Sequence, residues 1–548
     1  MTATHRPAGA GSTVVSGPLA EVPFAQRTVS GVLERAARQR PGDVFFVHGD
    51  VEHSVAQVQR QVDLLAEGLR ARGVGVGTRV GLLMTTSPEY LYGWFALAKL
   101  GAVEVPINTA YRGELLAHQL SGAAVSVVVA DRGPLLDAVE AVRADVPTLT
   151  EVLDFPGAYS ELLERTSTAD QAPALADRPV PSDAACVLYT SGTTGPSKGV
   201  LVSHHQQVAF GHFFAEITAL GSDDVILNYS PFFHISGKFT TLGCLLTGAR
   251  MILRSRLSIE RFWEEARAYG ITGFVAIGGV CHMLHGRTPR PDDADNPVRV
   301  VYAVPAPAEI YRDFESRFGL KLVEAYGSTE TNLIVNSSLV ESLPGACGRP
   351  NPAFDVQVVD EAGDPVPDGQ AGEIVIGSND PLLLSLGYDG LPEATTAAWR
   401  RGRFHTGDRA TRDSSGALWF KDRMKDAIRR RGENISSYEV ERLVNGHPAV
   451  AESAAVGAPS ELGEEEVRVV VVLCDGATAH PEDLYRHYAQ TMPYHMVPRF
   501  IDVFDELPRT PTDKVEKYRL RAAGITADTW DATAAGWRMT RDGPTRTG

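Results

Sequence analysis

The chain has 548 residues, too many for one ordinary core, so about two to four lobes are expected. Hydrophobic residues make up 43% and charged residues 22%, the balance of a soluble globular protein. A formal net charge of -16 spread over the whole length argues against a nucleic-acid-binding face, which needs clustered Lys and Arg, and against docking on an anionic membrane.

The five cysteines are Cys186, Cys244, Cys281, Cys347 and Cys474. None pairs as C-x-x-C, and an odd, scattered set is a poor disulfide framework, so reduced thiols and a cytoplasmic location are expected. The N-terminal segment MTATHRPAGAGS lacks the charged start and apolar core of a signal peptide. No uncharged apolar run of about 18 residues is present, so no membrane span is expected.

Residues 1–25 read as a flexible N-terminus. Thr78 to Met84 is a short apolar strand, Glu89 to Leu100 has helical spacing stopped by Gly101, and Ser126 to Asp131 is again strand-like. Ser258 can cap a helix with Ile259, Phe262 and Ala266 on one face, ended by Gly270, and Ile271 to Ile277 follows as a buried strand. This alternation predicts an α/β fold of mostly parallel sheets covered by helices. The pattern then changes. Asp355–Val359, Glu373–Ile376 and Ala417–Phe420 are short strands between Gly and Pro turns, which predicts a small β-rich subdomain over about 345–423. A basic stretch, Lys421 to Arg431, leads into a mixed segment with a helix at Tyr438–Val444, a strand at Val467–Leu473 and a helix at Glu482–Gln490. The expected organisation is a large N-terminal domain over 26–423, a small mobile α+β C-terminal domain over 428–525 and a polar tail over 526–548.

The strongest chemical signal is Tyr189-Thr190-Ser191-Gly192-Thr193-Thr194-Gly195-Pro196-Ser197-Lys198-Gly199, preceded by the apolar run Ala184 to Leu188. Glycines let a backbone approach phosphate closely, hydroxyls and N–H groups donate to phosphate oxygens, and Lys198 adds charge. The string is not a Walker A loop, because Ser197 and Gly199 stand where Gly and Ser or Thr would flank the lysine.

With this string the sequence resembles the adenylate-forming superfamily of acyl-CoA synthetases, peptide-synthetase adenylation domains and luciferases, from about residue 30 to about residue 525. The strings RPDDADNPVR, FESRFGLKLVEAYGSTE, GENISSYEVE and PRTPTDKVEK are most similar to crotonobetaine/carnitine-CoA ligase-like enzymes. The resemblance implies ATP binding by Thr190, Ser191, Gly192, Thr193, Thr194, Gly195 and Lys198. In Tyr326-Gly327-Ser328-Thr329-Glu330 it implies adenine stacking by Tyr326, an α-phosphate contact by Thr329 and Mg2+ binding by Glu330, roles that ring, hydroxyl and carboxylate suit. It implies that Asp408, in His405-Thr406-Gly407-Asp408, accepts from the ribose hydroxyls, with Arg423 beside it. Lys425, within 424–427, matches a hinge position about which relatives rotate the C-terminal domain between two half-reactions.

Lys514 matches the catalytic lysine of adenylation, where an ammonium stabilises charge building on the α-phosphate. Asp513 precedes it where many relatives carry Gly, and Lys517 is a weaker stand-in. His234, in Pro231-Phe232-Phe233-His234, matches a histidine at the entrance for the acid's carboxylate; a lone His near aromatics otherwise reads as a core residue. The acid pocket is expected around His234, Lys238, Gly278, Tyr302 and Ala303, with Tyr302 filling space that a long acyl chain would need. Lys238 has two readings: its stem carries the ammonium out to solvent, or the ammonium is buried and holds an anion of the substrate.

The leading expectation is an AMP-forming ligase that activates a small carboxylic acid with ATP and Mg2+ and transfers it to CoA, working as a monomer or homodimer. The alternative is a diazotase that activates nitrite and passes it to an aromatic amine. A catalytically dead binding module is disfavoured, because Lys198, Glu330, Asp408 and Lys514 are all present.

Overall fold

Apolar segments rich in Val, Ile and Leu, each delivered by a Gly- or Pro-containing turn, pair as two seven-stranded sheets. The structure, a computed structural model, describes residues 17–164, 178–190, 197–277, 279–341, 343–423, 428–430, 433–435, 437–459, 465–494, 496–509, 514–540 and 543–546. By internal contacts the chain divides into two compact units. The first comprises 1–190, 197–356 and 376–404, and the second 191–196, 357–375 and 405–548.

One sheet of the first unit runs Lys321–Val323, Val300–Val304, Gly273–Ile277, Val225–Asn228, Arg250–Leu253, Val44–His48 and Val51–Ser54, parallel except for the last hairpin. The other runs Gly387–Tyr388, Lys198–Ser203, Ala184–Thr190, Val103–Pro106, Arg79–Leu83, Val127–Asp131 and Glu151–Phe155, antiparallel only at its first two pairings. The α/β expectation therefore holds. The helix Pro88–Leu100 starts where Ser87 Oγ accepts the Tyr90 N–H and stops at Gly101, whose φ of 67° suits a residue without Cβ. Nearly all its residues are buried, as are those of His204–Thr218 and Ile235–Thr247, so these helices lie inside the unit rather than on its skin.

One helix begins later than expected. Phe262–Tyr269 starts four residues beyond Ser258, whose Oγ instead accepts the Arg261 N–H in the preceding turn. The β-rich expectation holds: Asp355–Val359, Ala371–Gly377, Arg403–Arg412 and Trp399–Arg400 lie in that order in one sheet, and Leu418–Arg423 pairs with Arg403–Arg412.

In the second unit, the strands Val450–Pro459, Glu465–Leu473, Phe500–Phe504 and Trp530–Asp531 form a sheet in that order. Val467, Val469, Val471, Leu484 and Tyr488 fill its core. The segment expected as a tail contains strands among its described residues. Trp530–Asp531 pairs antiparallel with Phe500–Ile501, and Trp537–Thr540 forms a hairpin with Gly543–Arg546. Trp530 and Trp537 lie 5.3 and 5.9 Å from the buried ring of Tyr485, and apolar burial of two indoles explains why this polar-looking stretch does not stay in solvent. All five cysteines are free thiols, four of them buried. Among the described residues no helix is long and apolar enough to cross a membrane.

Candidate active site

The strand Ala184–Thr190 carries the chain into the Gly/Ser/Thr loop, and Lys198–Ser203 carries it out antiparallel, with Thr190 opposite Lys198. The loop thus joins two strands of a hairpin, whereas a Walker A loop leads from strand to helix. Ser191, Gly192, Thr193, Thr194 and Gly195 lie outside the described residues. Lys198 is exposed, and its Nζ sits 4.9 Å from the ring centroid of Tyr388.

The second motif is also a hairpin. Ala325–Ser328 pairs antiparallel with Asn332–Asn336, which places Thr329, Glu330 and Thr331 at its tip. Gly327 is required by close approach: a Cβ added there would lie 1.9 Å from the Asn332 carbonyl oxygen. The tip is held from several directions. Gln206 Nε2 donates to the Thr329 carbonyl at 2.9 Å, and the Ser385 N–H donates to the Glu330 carbonyl at 2.8 Å. Tyr388 Oη donates to Glu330 Oε1 at 3.1 Å. Glu330 Oε2 has no hydrogen-bond partner among the described residues, and no cluster of three or more His, Cys, Asp or Glu suited to a metal is found among them. One carboxylate with an open oxygen fits Mg2+, which keeps waters and takes its remaining ligands from substrate phosphates. Glu330 would hold the ion.

His234 caps the helix Ile235–Thr247. Its Nδ1 accepts the Ser236 N–H at 3.2 Å and lies 2.7 Å from Ser236 Oγ. One turn further on, Lys238 does not reach solvent; it is buried, as its second reading had it, but the anion it holds belongs to the protein. Its ammonium is wholly buried and donates to both oxygens of Glu104, at 2.8 and 2.6 Å. Tyr90 Oη donates to the same carboxylate at 2.9 Å, and the Lys238 Nζ lies 4.1 Å from the Trp94 ring centroid. The stem does not reach solvent, and the charge is balanced inside the protein. Burial pushes the Glu104 carboxyl up, against the opposing pull of Lys238 and Tyr90.

Tyr302 and Ala303 are buried on the strand Val300–Val304. The Tyr302 ring meets Phe214 and Phe239 edge-on at 5.6 and 5.7 Å, and burial raises its phenol pKa. Gly278 lies outside the described residues. Glu324, two residues before Tyr326, was not foreseen. Its carboxyl accepts the Ala306 N–H, yet desolvation dominates and pushes its pKa up to about 8, so it is mostly protonated at neutral pH.

In the second unit, Glu373 braces the His405-Thr406-Gly407-Asp408 turn. Its carboxylate lies 2.8 Å from His405 Nδ1 and accepts the Gly407 N–H at 3.0 Å, while Thr406 Oγ1 donates to the Ile374 carbonyl. Asp408 is buried, its N–H donates to Thr406 Oγ1, and it stands opposite Arg423 in the strand register. Lys425 and Asp513 lie outside the described residues. Lys514 is exposed, just before Val515, which bridges back to Arg509. Lys517 is engaged elsewhere: its Nζ donates to Ser437 Oγ at 2.6 Å and pairs with Glu441 at 2.8 Å.

Glu104, Glu324, Gln206 and Tyr388 were absent from the sequence reading. For Glu104 a signal existed: a lone carboxylate in the apolar strand Val103–Pro106 demands a buried cation, and Lys238 is the lone charge in the apolar helix Ile235–Thr247. The other three carry no comparable mark.

Comparison with known proteins shows the family. Residues 33–388 match the AMP-binding enzyme family, and residues 439–514 match the AMP-binding enzyme C-terminal domain. The chain is 30% identical over 490 residues to crotonobetaine/carnitine--CoA ligase of Salmonella arizonae, covering 86% of this chain and 94% of that protein. It resembles ATP-bound MatB from Rhodopseudomonas palustris with a TM-score of 0.81 and 27% identity, over 90% of this chain and 98% of that one. The anthranilate CoA ligase AuaEII, in complex with anthranoyl-AMP, shares the fold with a TM-score of 0.83 at 22% identity, over 94% and 99% of the two chains. The protein therefore belongs to the AMP-binding enzyme family, as an ATP-dependent, AMP-forming ligase of the adenylate-forming acyl- and aryl-CoA ligase type.

Proposed function

We propose that the protein converts a small carboxylic acid, free of a second anionic group, into its CoA thioester through an enzyme-bound adenylate. The observation that carries this reading is the placement of Lys198 and Glu330 on either side of Tyr388, a cation for phosphate and a carboxylate for Mg2+. Mg2+, when bound, supplies positive charge to the phosphate chain. In the first step the acid's carboxylate oxygen attacks the α-phosphorus, the bond from that phosphorus to the β-bridging oxygen breaks, and pyrophosphate leaves. Lys198 and Thr329 hold phosphate oxygens, and Lys514 meets the charge that develops on the α-phosphate. Tyr326 stacks on adenine, while Asp408 and Arg423 hold the ribose. In the second step the CoA thiol, losing its proton, attacks the acyl carbon, the carbon–oxygen bond to AMP breaks, and AMP leaves. Lys425 serves as the pivot between the two steps.

Two features support a small acid without a second charge. Tyr302 is buried against Phe214 and Phe239, and Lys238 is neutralised by Glu104. The nitrite alternative calls for a small cationic pocket, and the pairing of Lys238 with Glu104 argues against that lysine as its cation. The test is pyrophosphate release with ATP, Mg2+ and a panel of short aliphatic and aromatic monoacids, dicarboxylates and nitrite, followed by mass spectrometry with CoA present. Turnover of monoacids to thioesters is expected. Turnover confined to nitrite or dicarboxylates would refute the reading.

A further inference from the structure

The segment Ser385 to Asp389 runs between the two phosphate-site hairpins and is bonded to both. The Ser385 N–H donates to the Glu330 carbonyl, the Leu386 N–H to the Leu201 carbonyl and the Asp389 N–H to the Gly199 carbonyl, at 2.8, 2.9 and 2.8 Å. At its centre, Tyr388 is paired antiparallel with Val200, two residues from Lys198. The Tyr388 N–H donates to Thr395 Oγ1 at 2.9 Å, which fixes the backbone from the other side. From this base the side chain does two things. Its ring lies under the Lys198 ammonium at 4.9 Å, and its hydroxyl donates to Glu330 Oε1 at 3.1 Å.

We propose that Tyr388 is the positioning residue of the phosphate site, its ring setting the Lys198 ammonium and its hydroxyl aiming the second oxygen of Glu330 at the metal ion. The inference rests on the reading of Glu330 as metal ligand and Lys198 as phosphate ligand. A carboxylate rotates freely unless one oxygen is tied, and a lysine stem loses little entropy when its head already rests on an aromatic face. Tyr388 supplies both constraints from one rigid side chain. Neither hairpin's own sequence contains this residue, which joins elements 190 and 58 positions away.

The test separates the two constraints and includes binding as well as turnover. Tyr388→Phe keeps the ring and loses only the hydroxyl; Tyr388→Leu loses both. Mn2+ binding is read from the EPR signal of the free ion with full-length protein and α,β-methylene-ATP, and the affinity for that analogue is measured again without metal. Tyr388→Phe should weaken Mn2+ binding by roughly 10-fold or more, the worth of one hydrogen bond to a charged group, while metal-free analogue affinity stays within about twofold. Tyr388→Leu should weaken both. In turnover, Tyr388→Phe should raise the free Mg2+ needed for half-maximal rate, and excess Mg2+ should restore kcat. Glu330→Gln serves as the reference. If it weakens Mn2+ binding and Tyr388→Phe does not, the role of Tyr388 is overturned while Glu330 stands as ligand. If Glu330→Gln itself leaves Mn2+ binding unchanged, both readings fall. A loss of kcat in Tyr388→Phe with unchanged metal binding would mark a merely structural contact and also overturn the proposal.

Discussion

Glu104 and Lys238, 134 positions apart, form an ion pair whose side chains are 1% and 0% exposed. The lysine comes from the helix that His234 caps, one helical turn on from that residue. Its charges balance each other, and Tyr90 donates to the same carboxylate, as expected of a pair that supports the fold.

This assignment predicts the behaviour of Lys238→Met. Removing one partner leaves Glu104 buried with Tyr90 but without its counter-charge, and breaking a buried pair typically costs about 3–5 kcal/mol. The melting temperature should fall sharply, and Glu104→Gln combined with Lys238→Met should recover most of the loss. Differential scanning calorimetry of the three proteins checks this. A single variant of unchanged stability that instead loses affinity for its acid would return Lys238 to the pocket.

At Gly327 the prediction is steric. Gly327→Ala places a methyl group where the Asn332 carbonyl stands, so the hairpin that presents Thr329 and Glu330 has to shift. A displacement of about 1 Å at a reacting centre costs roughly 100-fold in rate. ATP–pyrophosphate exchange should fall by about that factor while the melting temperature changes far less. Full exchange activity in the variant would show that the tip geometry is not critical.

The chemistry of the tip was legible in the residue types of Tyr326-Gly327-Ser328-Thr329-Glu330, but the hairpin that presents it was not. Its braces were not legible. Gln206, Ser385 and Tyr388 reach it across 123, 55 and 58 positions, and a contact over that separation leaves no local period or spacing. The strands and most helices could be read because apolar runs and stop signals are local: Gly101 and Gly270 both end their helices with positive φ. The strands within 526–546 were hidden for the opposite reason. The segment's average polarity concealed Trp530 and Trp537, two side chains sufficient to dock it on the second unit's core.

Glu324 gives a pH signature. Its pKa is raised from 4.5 to about 8 in the folded protein by burial, so folding favours the protonated carboxyl. Between those values the unfolded chain releases the proton and the folded one keeps it, so the unfolded state binds fewer protons and stability falls as pH rises. The contribution is full below about 4.5, declines through neutrality and is gone above about 8. Glu324→Gln should flatten this decline. Melting curves of both proteins across that range check it, and parallel curves would contradict it.

Lys514→Ala should lower kcat for adenylation by about 100- to 1000-fold, the cost of removing a group that stabilises transition-state charge. Thioester formation from a synthetic adenylate should be far less affected. Lys517→Met should instead lower stability without abolishing adenylation, because Lys517 is held by Ser437 and Glu441. Stopped reactions for each half, run on both variants, check the division. Equal losses in both halves for Lys514→Ala would point to a folding or docking defect.

The most direct test of the central claim is the identity of the nucleotide and the acyl product in one reaction. Full-length protein is incubated with ATP, Mg2+, CoA and a panel of small monocarboxylic acids, and products are resolved by liquid chromatography and mass spectrometry. The account predicts AMP, pyrophosphate and acyl-CoA in equal amounts for at least one acid. ADP and phosphate in place of AMP and pyrophosphate, or AMP formed with nitrite and an aromatic amine and with no carboxylic acid, would contradict it.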